Sequence, residues 1–306
     1  MLGKRLKTGD TIGLVAPAGI ESVEEIEKGI EKLKSLGFNI KKGKHIYDKW
    51  GYFAGRDEDR AEDIMDMFED DEVHMVLCVR GGYGAMRIVP YLDFHKIGKH
   101  PKIFMGYSDI TVLLNTMYQK EGLITFHGPM ASSNLDVDET LDSFLSTIMK
   151  GNEGYCIENP PYIPMVSNTD QSVEGRLAGG NLSLICSVLG TPYEIDIKDK
   201  LLFIEEVGEA PYRIDRMLTQ LQLTGKLKEC SGIILGQFTD CHDGEEEKNT
   251  FTLSQVLEDR IMNLNKPVLT NFMCGHDNPK LVLPIGAKAR LNCKKGQIEI
   301  IQSVVK

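Results

Sequence analysis

No stretch of this 306-residue sequence approaches the roughly 20 consecutive apolar residues that a membrane-crossing helix needs. The opening residues, Met1 to Asp10, are partly basic, but no apolar core follows them, so no secretory signal is read there. An excess of positive charge is also missing. With 45 Asp and Glu against 35 Lys and Arg, the formal net charge is -10. That leaves no electrostatic footprint for nucleic acid or an anionic membrane, and neither is expected as a partner. Basic residues gather locally, for example at Lys41, Lys42 and Lys44. The seven cysteines (78, 156, 186, 230, 241, 274 and 293) form no Cys-x-x-Cys, which argues against a zinc framework and a disulfide scaffold. Reduced thiols in a cytoplasmic protein are the expectation, with Cys78 and Cys186, each in an apolar run, acting as small core residues. Internal repeats are absent. So are a complete Gly-x-Gly-x-x-Gly and a Gly-x-x-x-x-Gly-Lys-Ser/Thr, which weakens any nucleotide reading.

What remains is a globular composition, 42% hydrophobic and 26% charged, long enough for two ordinary domains. The first half alternates strand and helix. Thr11 to Ala16 reads as a strand broken by Pro17-Ala18-Gly19. Ser22 and Glu25 form a capping-box pattern that opens a helix to about Leu36, and Phe38 to Lys42 is a second strand. Asp57 to Phe68 has a helical apolar face (Ala61, Ile64, Met65, Phe68). Val73 to Val79 is a strongly apolar strand running into Arg80-Gly81-Gly82-Tyr83-Gly84. Ile103 to Met105 is a fourth strand, Leu123 to Phe126 a fifth, and Glu139 to Met149 a closing helix.

Apolar strands separated by helices predict a parallel sheet covered on both faces. Ligands of such sheets sit outside the carboxyl ends of the strands. Four of the five strands end there in Pro17-Ala18-Gly19, Arg80-Gly81-Gly82, Ser108 or His127-Gly128, which marks that edge as a site.

Residues 1–150 are expected to form this first domain. Glu153 to Ser172, polar, aperiodic and carrying Pro160, Pro161 and Pro164, reads as a linker over 151–172. The second domain, 173–306, opens on Gly179-Gly180-Asn181 and an apolar helix from Leu182. It contains strands at Leu201 to Ile204, Gly232 to Phe238 and Pro267 to Phe272, and helices at Tyr212 to Leu223 and Leu253 to Asn263. A terminal hairpin turns at Lys294-Lys295-Gly296.

The hydrophobic period switches from strand to helix at Gly106-Tyr107-Ser108-Asp109. A serine there is held by backbone on both sides, beside the free N–H groups of a helix start, which suits a nucleophile with an oxyanion site next to it. The pattern departs from Gly-x-Ser-x-Gly, and a plain helix cap is the alternative. A serine nucleophile needs a base and an acid to orient it. Of the seven histidines, His45, His74, His95 and His100 lie in surface-like segments. His242 belongs to a run read as a solvated acidic loop (Asp240 to Glu247) rather than a metal loop. His276, on a glycine turn after a strand, and His127, at a strand end, are the candidates for the base. Glu205 and Glu206 are the candidate acids, and because neighbours on a strand face opposite ways at most one can serve. The Arg80–Gly84 loop can offer amides either to an anion or to the oxyanion.

In chain order, Val15-Ala16-Pro17-Ala18, Arg80-Gly81-Gly82-Tyr83-Gly84, Gly106-Tyr107-Ser108-Asp109, His127-Gly128-Pro129, Gly179-Gly180-Asn181-Leu182, Ile204-Glu205-Glu206-Val207, Pro211 to Arg216, and Gly275-His276 together resemble the serine peptidases of the LD-carboxypeptidase family. The resemblance spans nearly the whole chain. It implies an α/β protein with an N-terminal Rossmann-like parallel-sheet domain and a C-terminal mixed α/β domain, commonly a homodimer, without cofactor or metal. It implies Ser108 as nucleophile, His276 as general base, Glu205 as orienting acid, and the amides of Gly82 and Asp109 as oxyanion hole. Arg80 is the candidate for the substrate's terminal carboxylate, and His127 for shaping the pocket. The implied reaction removes a C-terminal D-amino acid, such as D-alanine of a cytoplasmic murein tetrapeptide during wall recycling. A second branch of the family hydrolyses microcin-type peptidyl nucleotides, and a non-catalytic anion-binding protein on the same scaffold is the alternative from another class.

Overall fold

In the computed structural model, the described residues are 1–151, 153–242 and 250–306. They divide into two compact units. The first comprises Met1–Glu153, Lys280–Gly286 and Ser303–Lys306. Its elements are β1 (Thr11–Val15), α1 (Val23–Ser35), β2 (Asn39–Lys42), α2 (Asp57–Glu69), β3 (Val73–Cys78), α3 (Ala85–Ile88), α4 (Phe94–Lys99), β4 (Ile103–Gly106), α5 (Thr111–Glu121), β5 (Thr125–His127) and α6 (Asp138–Lys150). Five strands run parallel in the order β2-β1-β3-β4-β5, and Leu283–Ile285 adds an antiparallel sixth beside β5. Buried strands such as β3, with Met75, Val76, Leu77 and Cys78 all inside, carry near-continuous apolar runs because both faces are covered. The order reverses between β1 and β3, and the loops leaving those two strands flank the crevice where doubly wound sheets bind ligands.

Local chemistry accounts for most boundaries. The Ser22 hydroxyl accepts the Glu25 N–H at the start of α1, whose Ile26, Ile30 and Leu33 are buried. The expected capping box is half made, since Glu21 rather than Glu25 takes the Ser22 N–H. Helix α5 is buried from Thr111 through Met117 and ends at Gly122, whose φ of 67° supplies the left-handed cap.

The second unit comprises Gly154–Pro279 and Ala287–Gln302. It contains β6 (Tyr155–Ile157), β7 (Val166–Ser167), β8 (Ser172–Asn181), α7 (Leu182–Ser187), β9 (Lys200–Val207), α8 (Pro211–Leu223), α9 (Lys226–Glu229), β10 (Gly232–Thr239), α10 (Leu253–Arg260) and β11 (Val268–Thr270). With β12 the name for Leu283–Ile285, β13 (Lys288–Asn292) and β14 (Gln297–Ile300) form the expected hairpin. One eight-stranded sheet results, ordered β6-β14-β13-β8-β9-β10-β11-β7, with β8 to β11 parallel and the flanks antiparallel. The mixed α/β class agrees with expectation.

Three differences stand out. Residues 151–172 are not a plain linker, because β6 and β7 lie within them and pair at opposite edges of this sheet. Pro160, Pro161 and Pro164 fall between these two strands, where no ladder hydrogen bond is needed. The glycine-rich stretch before Asn181 is strand β8, whose glycines allow close pairing. A methyl group on Gly175 would lie 3.1 Å from the Leu201 amide nitrogen. Finally, β9 runs on through Glu205 and Glu206 instead of stopping at Ile204. Among the described residues, no helix is long and apolar enough to cross a membrane.

Candidate active site

In the first unit, β4 ends at Gly106, and Ser108 begins a short 3-10 turn, Ser108–Ile110, that leads into α5. Ser108 has φ 62°, a left-handed conformation that costs a non-glycine residue energy and marks an over-determined position. The loop after β3 lies directly against it. A methyl group on Gly81 would fall 2.9 Å from Ser108 Cβ and 3.2 Å from its Oγ. Gly82 has φ 106°, open to glycine alone at no cost. The loop after β1 supports this backbone through the Gly19 N–H, which donates to the Gly81 carbonyl at 3.0 Å. Ser108, Gly81, Gly82 and Gly19 thus meet at the carboxyl edge that the sequence had marked.

Asp109 is buried and its Oδ2 accepts the Ala85 N–H at 2.6 Å. Burial pushes its carboxyl up to about 6 from 3.8. Arg80 is part-exposed, its Nη1 donating to the Ile20 carbonyl at 2.9 Å and standing 3.8 Å from Glu21. His127 ends β5. Its side chain has no exposed surface, and its ring packs 6.0 Å from that of Tyr107, with Gly106 as its strand partner. It therefore backs the Tyr107 ring beside Ser108. Lys280 Nζ lies 5.6 Å from the centre of the same Tyr107 ring, a cation–π distance.

In the second unit, His276 Nδ1 lies 2.7 Å from Glu205 Oε2. Glu205 is fully buried and the His276 side chain is 16% exposed. A neutral ring whose Nδ1–H faces a carboxylate has its lone pair on Nε2, the tautomer of a general base. The histidine turn is held from below by Gln237. Its backbone N–H donates to the Cys274 carbonyl at 3.0 Å and its Oε1 accepts the Asp277 N–H at 2.9 Å. Thr239 Oγ1 donates to Asp277 Oδ2 at 2.8 Å.

The alternation of β9 sends Glu206 the other way. There it accepts from Asn181 Nδ2 (2.8 Å), the Ser183 N–H (2.8 Å) and the Ser183 hydroxyl (2.7 Å), anchoring the start of α7. Burial raises its pKa against these hydrogen bonds. The ambiguity between the two carboxylates resolves to Glu205 for the histidine and Glu206 for the scaffold.

The structure thus joins Ser108 with the glycine loop in one unit, and Glu205 with His276 in the other. Sequence reasoning missed Gln237, Lys280 and the buried pair Asp57 and Arg60 on α2. Positions 57, 60, 61, 64 and 68 share one helical stripe, so the two charged residues had a legible signal in their register with Ala61, Ile64 and Phe68. Among the described residues one trio has metal-ligand spacing, His45, Asp48 and Asp59, and its His45 Nδ1 already lies 2.9 Å from Asp48. The acidic run after His242 lies, from residue 243 to 249, outside the described residues.

Comparison with known proteins decides the family. The LD-carboxypeptidase N-terminal domain matches residues 12–128 and the C-terminal domain of the same family matches residues 174–291. The chain belongs to the LD-carboxypeptidase family. Members of this family are peptidases, and this chain is one of them. It is 45% identical over 293 residues to a probable murein peptide carboxypeptidase of Bacillus subtilis, covering 94% of this chain and 91% of that protein. A solved muramoyltetrapeptide carboxypeptidase from Oxalobacter formigenes superposes with a TM-score of 0.84 at 32% identity, over 97% of this chain and 100% of that one. MccF, the microcin C7 self-immunity protein of Escherichia coli, solved in complex with glutamyl sulfamoyl guanosine, superposes with a TM-score of 0.91 at 27% identity, over 100% and 99% of the two chains.

Proposed function

We propose that this LD-carboxypeptidase is a serine-type enzyme that hydrolyses the amide linking an L-configured centre to a C-terminal D-amino acid, with D-alanine of a murein tetrapeptide as substrate. The observation that carries the reading is the 2.7 Å contact between His276 Nδ1 and the buried Glu205 carboxylate. It pre-sets the base tautomer that a serine nucleophile requires.

In this mechanism Ser108 Oγ attacks the scissile carbonyl while His276 takes its proton. Glu205 stabilises the imidazolium that forms. The amides of Gly82 and Asp109 receive the oxyanion, a role for which the left-handed Ser108 and the glycine backbone against it are suited. His276 returns the proton to the leaving amine of D-alanine, and water then releases the acyl group from Ser108 by the same steps in reverse. Arg80, tethered to Ile20 and with its side chain 40% exposed, is the cation offered to the terminal carboxylate. The same reading makes the enzyme a cytoplasmic homodimer acting in wall recycling.

Mass spectrometry of a murein tetrapeptide incubated with wild-type and Ser108→Ala protein tests it. Loss of one D-alanine with wild type alone is the expected result. Turnover that survives Ser108→Ala refutes the serine mechanism. No release by either protein, with cleavage of a peptidyl nucleotide by wild type, transfers the assignment to the immunity-hydrolase branch, for which the likeness to MccF is the supporting observation.

A further inference from the structure

Glycine backbone does not hold its own shape, yet the Arg80–Gly84 loop must present the Gly82 amide at one fixed place beside Ser108. Hydrogen bonds to Gly81 and from Arg80 tie the beginning of this loop to the chain after β1. The far end is held by two buried charged side chains that the mechanism above does not use. One is the Asp109 carboxylate, 1% exposed, which accepts the Ala85 N–H at 2.6 Å and so ties the turn after Ser108 to the residue that follows Gly84.

The other is Arg60 on α2, also 1% exposed. Its Nη1 donates to the Pro17 carbonyl after β1, and its Nη2 to Asp57. Its guanidinium lies 4.9 Å from the Phe53 ring centre, and a methyl group on Gly84 would fall 2.7 Å from Nη1. The loop end therefore rests on the guanidinium itself. Asp57 in turn receives Arg87 of α3 in a two-pronged contact at 2.7 and 3.0 Å, so the ion pair reaches both sides of the loop. Arg60 also acts on Asp109 as a nearby positive charge.

Burying ionised groups is costly, and a core built for stability alone is served as well by apolar side chains. What the charges supply here is direction, because Arg60 is aimed at the Pro17 carbonyl and Asp109 at the Ala85 N–H, backbone groups on the segments that meet at Ser108. We propose that the Asp109 carboxylate and the Arg60 guanidinium are positioning groups that hold the Arg80–Gly84 loop so that the Gly82 amide and the Asp109 amide point at the same developing oxyanion. This rests on the reading of Ser108 as nucleophile.

The test compares Asp109→Leu and Arg60→Met with Asp109→Asn and Arg60→Lys. It measures kcat and KM for D-alanine release, the rate at which a small fluorophosphonate labels Ser108, and folding by circular dichroism. Losing one oxyanion donor costs about 100- to 1,000-fold in kcat, and that is the loss expected for Asp109→Leu and Arg60→Met. KM should stay within about threefold, and labelling should slow in step with kcat, because only transition-state binding is affected. Asparagine still accepts from the Ala85 amide and lysine still reaches one of the two arginine partners, so these two variants should lose about 3- to 30-fold in kcat. They carry the test if the larger changes do not fold.

Folded variants that keep full kcat, or that raise KM while kcat holds, overturn the proposal. A wild type that loses turnover on Ser108→Ala while all four variants stay fully active refutes this inference alone. Turnover surviving Ser108→Ala refutes the reading beneath it.

Discussion

Replacing Glu205 by glutamine changes one oxygen for an amide nitrogen at a fully buried site 2.7 Å from His276 Nδ1. Two effects follow, and both act on the transition state. In the proposed mechanism, the carboxylate would no longer face the imidazolium formed when His276 takes up the nucleophile's proton. Two unit charges about 4 Å apart at an effective dielectric of about 20 interact by ~4 kcal/mol, which is about three decades of rate. The glutamine NH2 can also donate to Nδ1, and then the ring carries its proton on Nε2, where it cannot serve as a base. In a triad of the same logic, that neutral substitution costs about 10⁴ in kcat. We therefore expect Glu205→Gln to lower kcat by about 10³- to 10⁴-fold, with KM little changed.

The fold should survive this substitution, because the shape is kept and a buried charge is removed. The assay is D-alanine release from a murein tetrapeptide under saturating and limiting substrate, beside a thermal melt of each protein. Glu205→Ala serves as a control that cannot donate to Nδ1 and should lose a comparable factor. A well-folded Glu205→Gln enzyme within about tenfold of wild type would mean that the base is not oriented by this carboxylate, and the assignment of His276 would fall with it.

Two further predictions concern stability. Ser108 pays for its left-handed φ of 62°, a strain of about 1–2 kcal/mol, against which the entropy penalty of glycine is about 0.5–1 kcal/mol. Ser108→Gly should accordingly be about 0.5–1 kcal/mol more stable than Ser108→Ala in urea unfolding, and an alanine variant of equal or greater stability would show the turn to be unstrained. Asp109, raised to about 6 in the folded protein from 3.8, binds its proton more tightly folded than unfolded. Its contribution to stability is therefore full below pH 3.8, falls as the pH rises from 3.8 to about 6, and stays low above that. Asp109→Asn cannot ionise, so its stability relative to wild type should grow by ~2 kcal/mol between pH 4 and pH 7. A gap that does not change with pH would remove the buried ionised carboxylate from this account.

The parallel pairing of the first five strands, the terminal hairpin and the position of Ser108 between strand and helix were all legible in the sequence. They rest on hydrophobic periodicity and on glycine, proline and capping residues, which act over a few neighbouring positions. The same locality explains the misses. Strands β6 and β7 are three and two residues long at the edges of a sheet, too short for a period to show. They exist because partners far along the chain, in β14 and β11, supply their hydrogen bonds. Strand β8 was hidden by glycines whose purpose is the close approach of a neighbouring strand.

At the site, alternation along β9 showed that Glu205 and Glu206 must diverge. Which of them meets a histidine depended on what packs on each face: His276 on one side, Asn181 and Ser183 on the other. The part of Arg60 and the Asp109 carboxylate was not legible either, since both hold backbone groups that only the folded chain brings near. The sequence by itself determined which residue types stand at the strand ends, because secondary structure is written in local period. Tertiary structure alone decided which of them touch, because hydrogen bonds and buried charges are settled by partners distant in the chain.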